Sequence, residues 1–228
     1  MTVIRAKQLL GGGLHHCSAW LAYATRAQTH RRRSFVFDGA TYRYHAALYN
    51  RTWANERTVE IPIVTRAVAE RNGGRVLELG NVLHHYGVAG HTVVDKYEAA
   101  PGVLNRDILD FRDGHGFDVV VSISTLEHTG FEEEVPDPDK PARVAAHLAS
   151  LLAPGGTAIV TFPLGYNPGL DALVASRPEI FGEIRGLRRV SADNRWMEAA
   201  VTDLVGARYG SPYPNANALV VARMRSSV

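Results

Sequence analysis

The chain has 228 residues, of which 46% are hydrophobic, and its 25 lysines and arginines nearly balance 23 aspartates and glutamates. This size and composition predict one α/β domain, and the even charge gives no reason to expect nucleic acid or a membrane surface as a partner. The single cysteine, Cys17, excludes an internal disulfide framework, and no run of about 18 apolar residues occurs, so we expect a soluble cytoplasmic protein.

The sequence predicts a small N-terminal extension over residues 1–55 and the core of the domain over residues 56–228. A short helix or two is expected over residues 1–33. The run SFVFDGATYRYH alternates aromatic and polar residues around Asp38-Gly39, which suits a tight hairpin turn. Such an extension could form a lid or the contact of a homodimer. Residues 47–71 then have apolar residues at helical spacing, with Pro62 tolerable only near a helix start or at a break.

From Arg75 onward, short apolar runs alternate with helical or turn segments. Continuous rather than alternating hydrophobicity is typical of parallel strands covered on both faces. The order predicts a Rossmann-like, doubly wound sheet, mostly parallel, with an antiparallel C-terminal strand. The runs are RVLELG, HTVVD, FDVVVSIS, TAIVTFP and ALVVARM, and the segment PARVAAHLASLLAPGG predicts a helix between the third and the fourth.

The residues that end each run are the candidate ligand contacts, because open parallel sheets bind ligands beyond the carboxyl ends of their strands. Gly80 follows the first run and would let a ligand approach the backbone. Asp95 ends the second and could accept both hydroxyls of a ribose. The full G-x-G-x-x-G of a dinucleotide site is missing, since Asn81 to Tyr86 separate Gly80 from Gly87, and this disfavours NAD.

The successive segments RVLELGNVLHHYG, HTVVDKYE, LNRDILDF, FDVVVSISTLEHTGF and LLAPGGTAIVTFP resemble, in order and spacing, the motifs of class I S-adenosylmethionine-dependent methyltransferases. The resemblance covers about residues 56–163 and implies S-adenosylmethionine as cofactor. It places Arg57 at the cofactor carboxylate and Asp95 at the ribose. By the same resemblance Glu78, Gly80 and Asn81 border the methionine part, Asp107 and Ile108 the adenine, and Ile123 and Ser124 the sulfonium.

Glu127 and His128 are the candidate catalytic residues. Methyl transfer to a hydroxyl requires removal of its proton, and a histidine can accept it near neutral pH. Alternatively, a carboxylate and an imidazole can hold a divalent metal such as Mg²⁺. Two ligands do not complete a metal site, and the further carboxylates that could do so follow in the run FEEEVPDPD.

The acceptor is expected to be a small molecule or an oligosaccharide. Tyr166 and Asn167 lie in TFPLGYNPGLD, a Gly- and Pro-rich segment typical of a pocket wall, and Tyr44 and Tyr49 of the extension could cover the same pocket. The motifs are similar to those of bacterial methyltransferases of polysaccharide and glycan synthesis, among which a methylmannose-type polysaccharide is one candidate. This similarity favours a sugar hydroxyl as the methyl acceptor.

Three other functions remain open. A methyltransferase for a natural-product phenol or amine shares every cofactor motif. A nucleotide-dependent oxidoreductase would bind NAD instead. A non-catalytic protein on the same fold is favoured by Val82, which stands where the family has the second glycine of its first loop.

Overall fold

The computed structural model describes residue 25 and residues 27–71 and 73–226. Cys17 and most of residues 1–33, over which a short helix or two is expected, lie outside this part of the chain. A short helix, α1 (Gln28–Arg31), is followed by two antiparallel strands, β1 (Ser34–Phe37) and β2 (Ala40–Arg43).

The predicted hairpin is confirmed. Asp38 and Gly39 form its turn with φ values of 49° and 69°, the left-handed conformation that a two-residue hairpin turn needs. Phe35 and Phe37 are buried whereas Val36 between them is exposed, because successive side chains of a strand point to opposite faces.

The helix expected over residues 47–71 is broken in two. A 3₁₀ helix, Tyr49–Ala54, precedes α2 (Arg57–Glu70), and Pro62 lies inside α2. A proline there cannot donate to the carbonyl four residues back, which is that of Thr58. The backbone amide of His45 donates to this carbonyl instead, at 2.9 Å, so the extension supplies the hydrogen bond that the proline removes.

Eight strands form one sheet, in the order β5-β4-β3-β6-β7-β10-β8-β9. The first five in this order are mutually parallel, and β10 runs antiparallel to both β7 and β8, as does β9 to β8. This confirms the Rossmann-like sheet with an antiparallel C-terminal strand. The strands are β3 (Val76–Leu79), β4 (Thr92–Asp95), β5 (Val103–Asn105), β6 (Phe117–Ile123), β7 (Leu152–Pro163), β8 (Glu183–Arg189), β9 (Trp196–Ala199) and β10 (Ala218–Arg225).

Both faces of the sheet are covered. On one face, α3 (Lys140–Ser150) and α4 (Pro168–Ser176) pack against apolar side chains that include Val120. On the other, α2 and the hairpin pack against a cluster that includes Val119 and Val121. The alternation along β6 explains why its sequence is apolar throughout.

The connections between the first strands are shorter than in a regular doubly wound fold. From residue 80 to residue 116, a fully described range, the chain forms 3₁₀ turns and no α-helix. The α-helical crossovers are α3, between β6 and β7, and α4, between β7 and β8. The 3₁₀ helices after α2 are Leu83–Tyr86, Ile108–Asp110, Leu126–His128, Pro178–Phe181 and Val201–Leu204.

No helix in the described ranges is long and apolar enough to cross a membrane.

Candidate active site

The strand order reverses between β3 and β6, and the candidate site lies at their carboxyl ends. From β3 the chain proceeds outward to β4 and β5 and then returns to β6 on the other side of β3. The loops that leave β3 and β6 therefore diverge and open a crevice, as at other switch points of α/β sheets. The first loop carries Gly80 and the second carries Thr125, Glu127 and His128.

Gly80 is required by both its conformation and its surroundings. Its φ is +88°, and a Cβ atom at this position would lie 2.4 Å from Oγ1 of Thr125. The two loops thus touch at the base of the crevice. Ser124 beside them also has a positive φ, of 38°, which is unusual for a residue other than glycine. Backbone conformations of this kind cluster at functional sites.

Glu78 is fully buried and holds the loop that follows β3. Its Oε1 accepts hydrogen bonds from the backbone amides of Val82 and Leu83, at 2.9 and 2.8 Å, and its Oε2 lies 2.7 Å from Nε2 of His91. Val82, which replaces the expected glycine, is accommodated because its amide points at this carboxylate. Glu78 therefore shapes the loop after β3 and does not present a free carboxylate. Asn81 of the same loop donates a hydrogen bond from Nδ2 to Oε1 of Glu98, at 2.6 Å.

A cleft of about 450 Å³, including the space open to solvent, runs across the ends of β3, β4 and β5. It brings together Asp95, Asp107, Ile108 and His128, residues that the sequence assigned to the cofactor and to catalysis. The full lining is Leu79, Asp95, Lys96, Tyr97, Asp107, Ile108, Thr125, His128, Thr129, Glu133 and Lys140.

Asp95 begins a turn at the rim of this cleft. Its Oδ1 accepts hydrogen bonds from the backbone amides of Tyr97 and Glu98, at 2.8 and 2.7 Å. These turn bonds use one oxygen and orient the carboxylate, so that Oδ2 remains for a ligand hydroxyl. The geometry therefore accommodates the predicted contact with a ribose.

Asp107 differs from its predicted role because two lysines already bind its carboxylate. Lys140 Nζ lies 2.5 Å and Lys96 Nζ 3.3 Å from Oδ2, while Oδ1 accepts the amide of Leu109. Glu133 completes the network, at 2.6 Å from Lys140 and 3.0 Å from Lys96. Although partial burial opposes it, Lys140 holds the pKa of Asp107 below its usual range. A ligand at this end of the cleft would meet Ile108 and an ion-pair network, not an isolated carboxylate.

Arg57 reaches the end of β6 from the first turn of α2. Its Nη1 donates to the carbonyl of Ile123 at 2.8 Å and to Oε2 of Glu60 at 3.1 Å. Glu60, which the sequence did not indicate, is completely buried, and its Oε1 accepts from the hydroxyls of Ser124 and Thr161 at 2.7 and 2.6 Å. This arrangement fixes the guanidinium beside the residues predicted to line the sulfonium.

Glu127 is buried, with 2% of its surface exposed, and its Oε2 has no hydrogen-bond partner among the described residues. Burial raises its pKa well above the usual range of a carboxyl, Glu60 adds to this effect, and Arg57 opposes it. Oε1 lies 3.7 Å from Nε2 of His128.

His128 is partly exposed at the mouth of the cleft, with 42% of its side chain accessible. Its Nδ1 lies 2.9 Å from Oε1 of Glu132, which also accepts a hydrogen bond from the hydroxyl of Tyr166. The ring of Tyr166 packs edge-on against the imidazole at 5.1 Å. Tyr166 and Glu132 therefore both lie beside the imidazole.

The other predicted acceptor contacts lie differently. Tyr44 is buried, and its hydroxyl bonds the backbone of Trp196, at 2.8 Å from the amide nitrogen, so it belongs to the packing of the hairpin on β9. Asn167 is also buried: its Oδ1 caps α4 and its Nδ2 donates to the carbonyl of Glu127 at 2.9 Å. Both side chains are engaged within the fold, and their contact with the acceptor stays a prediction. Tyr49 is half exposed and stacks on His85, with ring centroids 4.1 Å apart.

Several residues of the site carried no signal in the sequence. Glu60 and Lys140 read as helix-surface residues, because the spacing of charges along a helix does not reveal which one turns toward a strand end. Within the described ranges no group of three or more histidine, cysteine, aspartate or glutamate side chains is placed to hold a metal ion. Glu132 lies beside His128, but in this part of the chain the carboxylates of residues 132–139 do not complete a metal site with Glu127 and His128.

Neither the models of protein families nor curated proteins match the chain. Solved structures do. The N-methyltransferase NodS from Bradyrhizobium japonicum, in complex with S-adenosyl-L-homocysteine, is 15% identical over 78% of this chain and 96% of its own, with a TM-score of 0.39. The sugar N-methyltransferase KedS8 from Streptoalloteichus is 18% identical over 83% and 99%, with a TM-score of 0.38. Magnesium protoporphyrin IX methyltransferase from Synechocystis, with bound SAM, is 15% identical over 72% and 76%, with a TM-score of 0.38. Similarity of this degree assigns no activity to the chain.

Proposed function

We propose that the chain is an S-adenosylmethionine-dependent O-methyltransferase that methylates a hydroxyl of a sugar or oligosaccharide. The observation that carries the proposal is the cleft at the switch point. It gathers Asp95, Ile108 and His128 from three separate strand ends, in the arrangement that the resemblance to class I methyltransferases implies.

The residues present fit such a cofactor at three points. Gly80 leaves the backbone bare where a Cβ atom would strike Thr125, Asp95 offers one carboxylate oxygen, and Arg57 supplies a guanidinium at the end of β6. A guanidinium suits the carboxylate of the cofactor, since the two can form charge-assisted hydrogen bonds. S-adenosylmethionine, when bound, supplies a methyl group on a positively charged sulfur.

His128 is the proposed general base. It would take the proton of the acceptor hydroxyl while the oxygen forms its bond to the methyl carbon and the carbon–sulfur bond breaks. Glu132 holds the imidazole from its Nδ1 side, and this leaves Nε2, which faces Glu127, to carry the proton. Tyr166, beside the imidazole, would help to position the acceptor.

An acceptor carrying many hydroxyls is supported by the polar and aromatic groups at the mouth of the site. Tyr49, in the 3₁₀ helix before α2, stacks on His85 of the loop after β3, and Tyr166, on the loop after β7, packs against His128. Aromatic faces pack well against the apolar faces of sugar rings while their polar edges accept or donate hydrogen bonds.

Isothermal titration with S-adenosyl-L-homocysteine, and separately with NAD, tests the cofactor. Micromolar binding of the former and none of the latter is expected, and Asp95→Ala should weaken it by about 1–3 kcal/mol. Repeating the titration with EDTA and with added Mg²⁺ tests whether a metal contributes. Absence of any binding would favour the non-catalytic alternative, and binding of NAD would favour the oxidoreductase.

The acceptor is tested separately. Turnover measured with a panel of sugars and natural-product phenols separates the two acceptor classes.

A further inference from the structure

Three buried glutamates lie near enough to Arg57, at the end of β6, for their charges to act on it, and Glu60 contacts it directly. Glu56, Glu60 and Glu127 have exposed fractions of 8%, 0% and 2%. The guanidinium of Arg57 forms its ion pair with Glu60, at 3.1 Å, while Glu56 accepts a hydrogen bond from the backbone amide of Ala216. We call the three carboxylates the acid pocket. When all three are ionised, their negative charge exceeds the charge that Arg57 supplies.

The unpartnered oxygen of Glu127 points to a ligand for this pocket. Buried carboxylate oxygens nearly always have hydrogen-bond partners, yet Oε2 of Glu127 has none among the described residues. The residue does not lack support, because Asn167 fixes its backbone carbonyl. The backbone at this residue is therefore set by the fold, and Oε2 of its side chain is left for a group that enters the site.

Aromatic groups face the same pocket. Tyr166 and Tyr209 pack edge to face at 5.1 Å, and Tyr86 has a buried hydroxyl without a partner in the described part of the chain. Burial raises the pKa of Tyr209, and the charges of Glu56 and Glu127 add to that effect, which places its hydroxyl in the field of the acid pocket. Carboxylates combined with aromatic faces suit an organic cation, which gains from both.

A metal ion fits this place less well than an organic cation. Hard metals such as Mg²⁺ take about six oxygen ligands, and no group of three ligating side chains converges in the described ranges. A sulfonium or ammonium group carries one charge and apolar substituents, so one carboxylate and neighbouring rings are sufficient for it.

We propose that the acid pocket is a binding site for a singly charged organic cation and that Glu127 is the residue that recognises the charge. The inference rests on the proposed function and deepens it, since two cations can reach this position. One is the sulfonium of the methyl donor. The other is an amine on the acceptor, which would make the acceptor an amino sugar or a related amine.

The experiment compares pairs of related ligands of which one member carries an additional cationic group. For the donor, titrations use neutral S-adenosyl-L-homocysteine and sinefungin, in which a carbon bearing an ammonium replaces the sulfur. For the acceptor, D-glucosamine is compared with D-glucose, with and without S-adenosyl-L-homocysteine. Each pair is measured on the wild type, on Glu127→Gln and on Glu179→Gln, a control on an exposed 3₁₀ turn.

At least one pair should show about tenfold or greater preference for the cation, because hydrogen bonds to charged groups are the strong ones. Glu127→Gln should reduce this preference to about threefold or less while affinity for the neutral ligand stays the same, and Glu179→Gln should change neither. Preference in the first pair identifies the sulfonium as the source, and preference in the second an amine acceptor.

Equal affinities within both pairs, or a preference that survives Glu127→Gln, overturn the inference. The wild-type comparison decides even if the variant does not fold. Failure of S-adenosyl-L-homocysteine and sinefungin to bind at all contradicts the proposed function, whereas equal binding of the two leaves that function intact and removes the sulfonium as the source. In that case the comparison of D-glucosamine with D-glucose in the absence of cofactor decides whether the acid pocket binds a cation.

Discussion

His128 and Glu127 are adjacent in the chain but lie in opposite environments. The imidazole is 42% exposed and is held by Glu132, whereas the carboxylate of Glu127 is almost completely buried. The exposed partner can exchange a proton with water after each turnover, and the buried one cannot do so readily. This difference supports the proposals that His128 transfers the proton and that Glu127 recognises the charge.

Replacing His128 by alanine should lower turnover by about 10²- to 10⁴-fold, the usual contribution of a general base. Affinity for S-adenosyl-L-homocysteine should stay within about threefold, since a single neutral contact contributes little to binding. Steady-state methylation and isothermal titration measure the two quantities. Tyr166→Phe, which removes the hydroxyl bonded to Glu132 and keeps the ring beside the imidazole, should have a smaller effect. Full activity of His128→Ala would remove the residue from the mechanism.

Glu127 should make stability fall as the pH rises. Burial raises the pKa of its carboxyl in the folded state, and burial acts in the same direction on Glu56. Below the pKa that such a carboxyl has in the unfolded chain, it is protonated in both states and its contribution to stability is fully present. As the pH rises further the unfolded state ionises first, so stability is lost until the pH passes the raised pKa of the folded state.

Urea unfolding of the wild type and of Glu127→Gln, from about pH 4 to about pH 8, measures this dependence. The free energy of unfolding of the variant should depend less on pH and should equal or exceed that of the wild type at neutral pH. A constant difference between the two proteins over the whole range would show that Glu127 does not titrate as described.

The loop after β3 reaches its geometry by a different route from a glycine-rich loop. Glu78 accepts the amides of Val82 and Leu83, and His91 holds the other oxygen of that carboxylate. Side-chain hydrogen bonds thus replace the conformational freedom that further glycines would supply. Only Gly80 is still needed, because it lies against Thr125.

Gly80→Ala should destabilise the protein by about 1–3 kcal/mol more than Gly73→Ala. Both positions have positive φ, of 88° and 84°, so both variants have the cost of that conformation, but a Cβ at Gly73 has nothing within 4 Å. The difference therefore measures the contact with Thr125. Thermal unfolding of both variants provides it, and Thr125→Ala should recover part of the loss in a double variant. Equal destabilisation at the two glycines would mean that the loops can separate.

At the scale of the whole molecule, α2 connects the extension to the centre of the sheet. The carbonyl of Thr58 accepts the amide of His45, and Glu60 binds side chains on the loop after β6 and on β7. The helix therefore links residues 34–45 to the sheet and positions Arg57 in the site.

Glu60→Ala should lower the free energy of unfolding by about 3–5 kcal/mol, because it leaves the buried guanidinium of Arg57 without its partner. Glu70→Ala on the same helix is the control. Its ion pair with Arg66 is exposed and should contribute little to stability. Denaturant unfolding measures both variants, and similar losses would show that Glu60 is not structurally important.

The sequence by itself determined the hairpin, the apolar strands and their parallel order, because local turn chemistry and continuous hydrophobicity depend on neighbours in the chain. It also indicated which strand ends face a ligand, and the structure gathers Asp95, Ile108 and His128 in one cleft. Their roles in binding and catalysis stay predictions. The strand β8 was not expected, since its charged sequence EIRGLRR lacks a continuous apolar run.

Only the tertiary structure decided which side chains remain free to act. Glu60 contacts Ser124 and Thr161, which are 64 and 101 residues away, and Lys140 reaches Asp107 across 33 residues. Such pairs depend on strand order and on the rotation of each helix against the sheet, which periodicity does not specify. The same contacts engage Asp107 and leave one oxygen of Glu127 unpaired. The pattern of residues could therefore locate the site, but the packing determined which of its groups can meet a ligand.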